Sequence, residues 1–577
     1  MKIKHLFGLA VIAAMTASCS SNEDLGTAGP GTGTNEAGVG YATFTINLPS
    51  VSGTRADAGG AEVAPGTEDE YKVANATALI FQKYGSDEGS YKFVESVDLP
   101  DAKTGWEDET GGVTKSKKLV AKLTNVDTKN TYAVLVLLNN KTASGVKITL
   151  PSVGDSYNEW NNKAQLPIVT DLAAENEFYM ANAPLNESGN VTTLVTIKEK
   201  NIYPTQKEAE SGTAAADVYV ERGVAKMTVV APGPKTVMDK ANPKVATKSE
   251  VTFSNWALDI TNKKTYAVHN IDGLNTDFPD IWTTARFTGT NNRVYWGTDP
   301  NYNFAGLNTA DKANDTKREG EFNFITATSD INKAFDKPVY CLENTFNLAN
   351  MYQGQTTRVI FKAKYTPKDD TGADLADTGG TFYTIGNMTT ILKFADLKTA
   401  VDAAADAVLP GCVVDYKNLE KEGSHVITLE DIKENASSTT HLDGATKYGT
   451  GLKTGKDIVA AINDKLGLKA GRPEEMVGIN TYLEGATYYI ARVKHFGDAL
   501  TKWNSGESYS DNNEKYLGRY GMLRNNWYEL TVGNVYGPGY PGVPPVDPTL
   551  PDDENEKYLS VSVKILDWAK RSQSVDL

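Results

Sequence analysis

The chain has 577 residues, is 40% hydrophobic and 23% charged, and carries a formal net charge of −15 at neutral pH. That length predicts two or three domains, and an acidic balance with no basic stripe argues against nucleic acid and anionic membrane surfaces as partners. Its three cysteines, Cys19, Cys341 and Cys412, rule out a disulfide framework and argue against a cysteine-built metal cluster.

From the N-terminus, MKIKH supplies positive charge, Leu6–Met15 is a short apolar run, and Thr16-Ala17-Ser18-Cys19 follows. The run is too short to span a membrane and predicts a cleaved leader over 1–18. Small residues before a cysteine resemble the lipobox of bacterial lipoproteins, which implies acylation at Cys19 and export to the outer membrane. The plainer alternative is a secretory signal with an incidental cysteine. Residues 20–40 are rich in Gly, Thr, Asn and Ala and read as a tether. YATFTINL (41–48) then alternates strictly, with Ala42, Phe44, Ile46 and Leu48 on one face and Thr43, Thr45 and Asn47 on the other. That period predicts a strand with one buried side. SVSGTRADAGG after it is a loose segment holding a candidate cutting site, Arg55-Ala56.

Strand-like runs recur over 76–82, 91–99, 118–126, 132–140, 191–197 and 218–232, separated by turn-rich loops, and predict a mostly β protein of β-sandwich class. PGPK at 232–235 predicts a domain boundary. A second β-rich set follows at 251–260, 339–346, 357–365, 487–493 and 527–535. Two helices, over 391–408 and 455–467, are expected in insertions outside the sheets. The resulting division is a leader (1–18), a propeptide with a removable strand (19–55), two sandwich domains (56–235 and 236–536), a linker (537–557) and a tail (558–577). The linker GPGYPGVPPVDPTLPDDENEK favours extended polyproline II, which predicts that it detaches the tail from the body. In the tail, Leu559, Val561, Val563 and Ile565 share one face. Leu566 and Trp568 fall on the other, so a bulge or twist is expected after Ile565.

Motifs for chemistry are sparse. His5, His269, His425, His441 and His495 show no HExxH or Cys/His ligand spacing, and no GxSxG elbow occurs. GTGLKTGKD (449–457) is a near miss for a phosphate loop, with Thr450 at the first glycine and Asp457 where a magnesium ligand belongs. It predicts a loop that caps the following helix. Asp369-Asp370 lacks the EF-hand pattern. No cofactor, metal or catalytic residue is expected. Carboxylate pairs of a glycoside hydrolase need no local motif, and a binding module could use Trp282 or Trp296 as a sugar platform.

The two end strands carry four apolar residues at the same spacing and could fill one groove. Removal of the first after Arg55, with donation of the last, predicts polymerisation by strand exchange. The plainer reading keeps both strands in one monomer and makes Arg55 an ordinary loop arginine. NLPSVSGTRA, VERGVAKM, ENTF before TRVIFKAKY, RNNWYELTV and the ending YLSVSVKILDWAKRSQSVDL resemble, in that order, the Bacteroidales fimbrillins, and among them the shaft subunits of the minor fimbrium. The resemblance implies two transthyretin-like β-sandwich domains, lipidation of Cys19, cleavage between Arg55 and Ala56 by an arginine-specific protease, and a donor strand from Tyr558 to Trp568. It implies copies of the same chain, fimbrial anchor and tip subunits and the protease as partners, surface receptors as adhesion targets, and a location in a cell-surface fimbrium. Keeping both the arginine and the tail favours the shaft over the anchor or tip; a tip adhesin or monomeric glycan-binding lipoprotein is the alternative.

Overall fold

The computed structural model describes residues 33–49, 66–108, 115–127, 129–288, 292–304, 312–386, 388, 390–433, 447–448, 453–468, 478–504, 507, 509, 514–546 and, as backbone alone, 559–567. The predicted leader and Cys19, Arg55-Ala56, His441, Tyr558 and Trp568 lie outside the described residues.

The chain is mostly β. Its first sheet is built from β1 (Gly40–Asn47), β2 (Ala76–Gln82), β3 (Lys92–Asp98), β4 (Lys115–Leu123), β5 (Tyr132–Leu138), β6 (Met180–Asn182) and β7 (Ala216–Arg222), in the order β3-β2-β5-β6-β7-β1-β4. β5, YAVLVLL, is buried at every position, as expected of a continuous apolar run. β7 joins two layers. Its residues Ala216–Tyr219 run parallel to β1, and Val220–Arg222 run antiparallel to β6. The expected strand over 191–197 is divided into Asn190–Thr192 and Val195–Thr196. Thr193 and Leu194 between them donate their backbone N–H groups to the Glu88 carboxylate instead of a ladder.

The run 218–232, expected as one strand, also divides. β7 ends at Arg222, and β8 (Ala225–Val229) opens the second sheet. Gly223 sits at the crossing, where a Cβ would come within 2.6 Å of the Tyr179 ring, so only glycine fits without a shift. The chain thus changes sheets ten residues before the predicted boundary at 232–235, and Lys235–Met238 is itself a strand, β9. The second sheet continues with β10 (Ala246–Asp259), β11 (Val339–Cys341) and β12 (Arg358–Thr366). β11 is shorter than the predicted 339–346. Glu343, just past its end, is buried against Arg524 at 3.0 Å.

Between β12 and the next long strand lies an inserted unit: β13 (Phe382–Ile385), β14 (Gly423–His425) and β15 (Ile479–Tyr482), in the order β13-β15-β14. α2 (Phe394–Val408) and α3 (Gly455–Lys465) pack into the same core as this small sheet; α1 (Gln206–Ser211) packs against β1 and β4 of the first sheet. Leu397, Val401 and Ala405 of α2 are buried at four-residue spacing. Thr454 caps α3 reciprocally with Asp457, so the near-miss phosphate loop is a helix cap. The second sheet is completed by β16 (Ala486–Arg492), β17 (Asn526–Val535) and β18 (Leu559–Asp567). Its order is β11-β8-β17-β9-β10-β12-β16, with β18 on β17.

Candidate functional site

β1 is an interior strand. All eight of its residues pair antiparallel with β4, from Gly40 opposite Leu123 to Asn47 opposite Ser116. On its other edge Phe44–Asn47 run parallel to Ala216–Tyr219 of β7, and Tyr41 and Ala42 pair with Tyr203 and Ile202. Ala42, Phe44 and Ile46 have no exposed surface and Leu48 has 1%. Burying Phe44, Ile46 and Leu48 is worth roughly 4 to 9 kcal/mol as an upper estimate. The predicted polar face is also partly covered. The Thr43 hydroxyl donates to the Ala209 carbonyl of α1 at 2.5 Å, and the Asn47 amide donates to the Val218 carbonyl at 3.3 Å. Removing this strand exposes two facing backbone edges and an apolar trough.

Beyond the interval holding Arg55-Ala56, the chain is pinned again at Glu70. This carboxylate accepts the Thr67 backbone N–H at 2.9 Å, the Lys226 ammonium at 2.6 Å and the Tyr340 hydroxyl at 2.7 Å, while Arg222 Nε donates to the Glu70 carbonyl at 2.8 Å. Lys226 Nζ also lies 3.9 Å from the centre of the Trp527 ring. Burial pushes the Glu70 carboxyl up, but Lys226 and Arg222 outweigh it and hold the group below the usual carboxylate range. This cluster joins the segment at Glu70 and β7 of the first sheet to β8, β11 and β17 of the second sheet. Between Leu48 and Gly66, therefore, the backbone is anchored on both sides of the candidate cut.

At the other end of the chain, β18 pairs antiparallel with β17 of its own molecule, from Asn526 opposite Asp567 to Val535 opposite Leu559. Leu559, Val561, Val563, Ile565 and Leu566 all lie on this backbone ladder. The register shifts between Val532 and Val535, whereas pairing continues evenly through Trp527–Leu566; the irregularity expected after Ile565 lies at the opposite end of the strand. β18 is not in the β1 slot. The first and last strands occupy different sheets.

The linker is not detached along its whole length. Tyr488 and Tyr540 exchange backbone hydrogen bonds at 2.9 and 2.7 Å. The Tyr489 and Tyr482 hydroxyls donate to the carbonyls of Gly537 and Gly539, both at 2.9 Å. Arg358, paired with Asp259 at 2.8 Å, donates to the carbonyls of Pro544 and Pro545 at 2.6 and 2.9 Å. A Cβ at Gly539 would approach the Tyr488 carbonyl oxygen to 2.1 Å, which explains glycine there. Prolines cannot donate to a ladder, yet their carbonyls accept freely, so Pro544 and Pro545 are held by Arg358 while Gly537, Gly539 and Tyr540 are held through their own backbone groups.

Trp282 is 6% exposed and Trp296 fully buried, so neither offers a sugar platform. His269 bonds Glu221 at 2.7 Å and His495 bonds the Tyr528 hydroxyl at 2.7 Å, both inside the core. Asp369 accepts the backbone N–H groups of Thr371 and Ala373 and closes its own loop. No helix among the described residues is long and apolar enough to cross a membrane. The flanking of β1 by β4 and β7, the Glu70 cluster and the docking of 537–546 have no counterpart in the sequence reading. They join segments up to 270 residues apart in the case of Glu70 and Tyr340, which no local period reports.

Residues 480–574, from β15 to just past β18, match the family described as major fimbrial subunit protein type IV, fimbrillin, C-terminal. The match covers 95 of the 577 residues, so it is the C-terminal part of this chain that is similar to the fimbrillins. Among solved structures the chain is similar to a fimbrial assembly protein from Parabacteroides distasonis, at 13% identity over 61% of this chain and 93% of that one with a TM-score of 0.27. It is also similar to a candidate cell adhesion protein from the same organism, at 12% identity over 92% of this chain and 99% of that one with a TM-score of 0.36. No curated protein sequence matches it.

Proposed function

We propose that this chain is the shaft subunit of a cell-surface fimbria and polymerises by protease-triggered strand exchange. The protein would be exported as a lipoprotein acylated at Cys19. An arginine-specific protease would then cut between Arg55 and Ala56, and the segment carrying Cys19 and the first strand would leave together. The observation that carries this reading is the interior place of β1 between β4 and β7, next to the interval that holds Arg55. The Glu70 cluster supports it, because it holds the body in place on the far side of the cut.

Vacating that slot leaves unpaired edges on both sides, and the tail of a second copy would fill them. The tail must first leave β17, where it pairs along one edge among the described residues. In the slot it would pair with β4 on one side and with β7 and Ile202–Tyr203 on the other. The added backbone hydrogen bonds, at about 0.5 to 1.5 kcal/mol each, favour the transfer. With 537–546 docked, residues 547–557 are the segment available to bridge two molecules. At about 3.1 Å per residue they reach roughly 34 Å. Anchor and tip subunits would end the polymer, and adhesion to host or bacterial surfaces would be carried by the assembled fibre.

Arg55→Ala tests the reading. The variant should remain a full-length, lipidated, membrane-bound monomer when exposed to an arginine-specific protease. Fibres formed by this variant would overturn the trigger.

A further inference from the structure

β1 is covered on its outer face as well as its inner one. The chain pairs with one edge of β1 at Ile202 and Tyr203, leaves that edge as α1, and returns to it at Ala215, whose backbone N–H donates to the Thr43 carbonyl at 2.7 Å. α1 packs against both β1 and β4, so the loop crosses the strand as a strap. Beneath it the Thr43 hydroxyl donates to the Ala209 carbonyl at 2.5 Å, and Thr43 is 1% exposed. Two residues on, along the same face, Thr45 is only half-buried. We propose that this strap reads the arriving tail. The seat under Ala209 takes Ser560 of the neighbour, and the tail therefore enters the slot in the same direction as β1. The proposal rests on the strand-exchange reading above.

Either direction of entry can set the four apolar residues of the tail at the places of Ala42, Phe44, Ile46 and Leu48. The two differ on the opposite face. In the direction of β1, Ser560, Ser562 and Lys564 take the places of Thr43, Thr45 and Asn47. In the reverse direction Lys564 takes the place of Thr43, and Ser560 that of Asn47. A serine hydroxyl can donate to the Ala209 carbonyl as the threonine hydroxyl does, and it needs no more room. A lysine there would bring an ammonium on a long stem into a space that holds one threonine. Its diagonal neighbours on β4 would be Lys118 and Lys122, the residues opposite Thr45 and Tyr41, and like charges repel across a sheet. The carboxylates of α1 are engaged on their own helix, Glu208 accepting from the Thr205 hydroxyl at 2.6 Å and Glu210 from the Gln206 amide at 2.7 Å. At the place of Asn47 the same lysine lies at the end of the strand, diagonal to the exposed Asp217 of β7 as well as to Lys118.

The test uses full-length protein treated with an arginine-specific protease, with paired cysteines introduced on the retained body and on the tail. Cys341 and Cys412 are buried, and Cys19 departs with the cut segment. Ser116 of β4 stands opposite Asn47. Ser116→Cys with Lys564→Cys should therefore give a ladder of disulfide-linked oligomers on non-reducing gels. A ladder from Ser116→Cys with Ser560→Cys would overturn the proposal, as would fibres that cross-link with neither pair. A second measurement needs no cysteine. Ser560→Gln overfills the seat under Ala209 and should raise the dissociation rate of fibres about tenfold or more, whereas Ser562→Gln, at the half-buried place of Thr45, should change it less than about twofold. Ser560→Thr should assemble as the native chain does. Equal effects of the two glutamine substitutions would refute the strap as a reader while leaving strand exchange intact. Failure of the unmodified protein to polymerise at all after cleavage would remove both.

Discussion

Glu70 concentrates much of the junction between the two main sheets in one side chain. Lys226, Tyr340 and the Thr67 N–H converge on its carboxylate, and Arg222 holds its carbonyl. Removing one member of a buried ion pair strands the other, at about 3–5 kcal/mol. Glu70→Ala should therefore lower unfolding stability by about that amount in a denaturant titration, whereas Arg55→Ala should leave it unchanged. A second prediction concerns pH. Burial pushes the Asp299 carboxyl up to about 7, even though it accepts N–H groups from Thr345 and Asn301. At His269, burial lowers the pKa but Glu221 outweighs it and raises the group above its ordinary value. In both cases the folded state binds a proton more tightly than the unfolded chain does. Their contribution is complete below the unfolded pKa and is lost as pH rises through the folded one. For Asp299 that window runs from about pH 4 to about pH 7. Stability should fall across that window, from about pH 4 to about pH 7, by up to about 1.4 kcal/mol per unit for one group. Asp299→Asn should flatten that slope when unfolding is followed at each pH. A slope unchanged by the substitution would remove Asp299 as its source.

At the scale of elements, the decisive object is the slot of β1. Its apolar residues sit where a charge has no compensation. Val561→Asp in the tail would place an unpaired carboxylate among the buried side chains of that slot, so it should abolish fibre growth while the monomer keeps its circular dichroism spectrum. Much of this was legible in the sequence. The strict alternation of 41–48 gave β1 and its buried face, because a period-two pattern reports one-sided burial directly, and ATALIFQ gave β2 to the residue through its β-branched and aromatic content, although that strand is buried on both faces over 76–81. The helices over 394–408 and 455–465 followed from their own spacing and capping residues. What escaped was set by distant partners. Arg222 and Ala225 look like parts of one strand, but Gly223 between them carries the chain from one sheet to the next. The proline-rich segment looks free, yet Tyr489, Tyr482 and Arg358 hold its first ten residues on β16, β15 and β12. Composition reports what a segment cannot donate, and says nothing of which side chains elsewhere will bond its carbonyls.

At the scale of the whole molecule, the two end strands occupy separate sheets, with β1 inside one and β18 on β17 in the other. That separation suits a head-to-tail chain, because the first sheet of one copy would receive the strand that leaves the second sheet of another, and such a heterologous contact does not close on itself. Each subunit would then be held by a strand paired on both edges, which makes the fibre slow to dissociate. The central claim is that loss of the first strand opens a place that another molecule's tail fills. Light scattering and electron microscopy of the protease-trimmed protein, run beside the trimmed Val561→Asp variant, test it most directly. The account predicts long fibres from the native chain and monomers from the variant. Native protein that stays monomeric after its first strand has been released, or a variant that polymerises as well as the native chain, would contradict it.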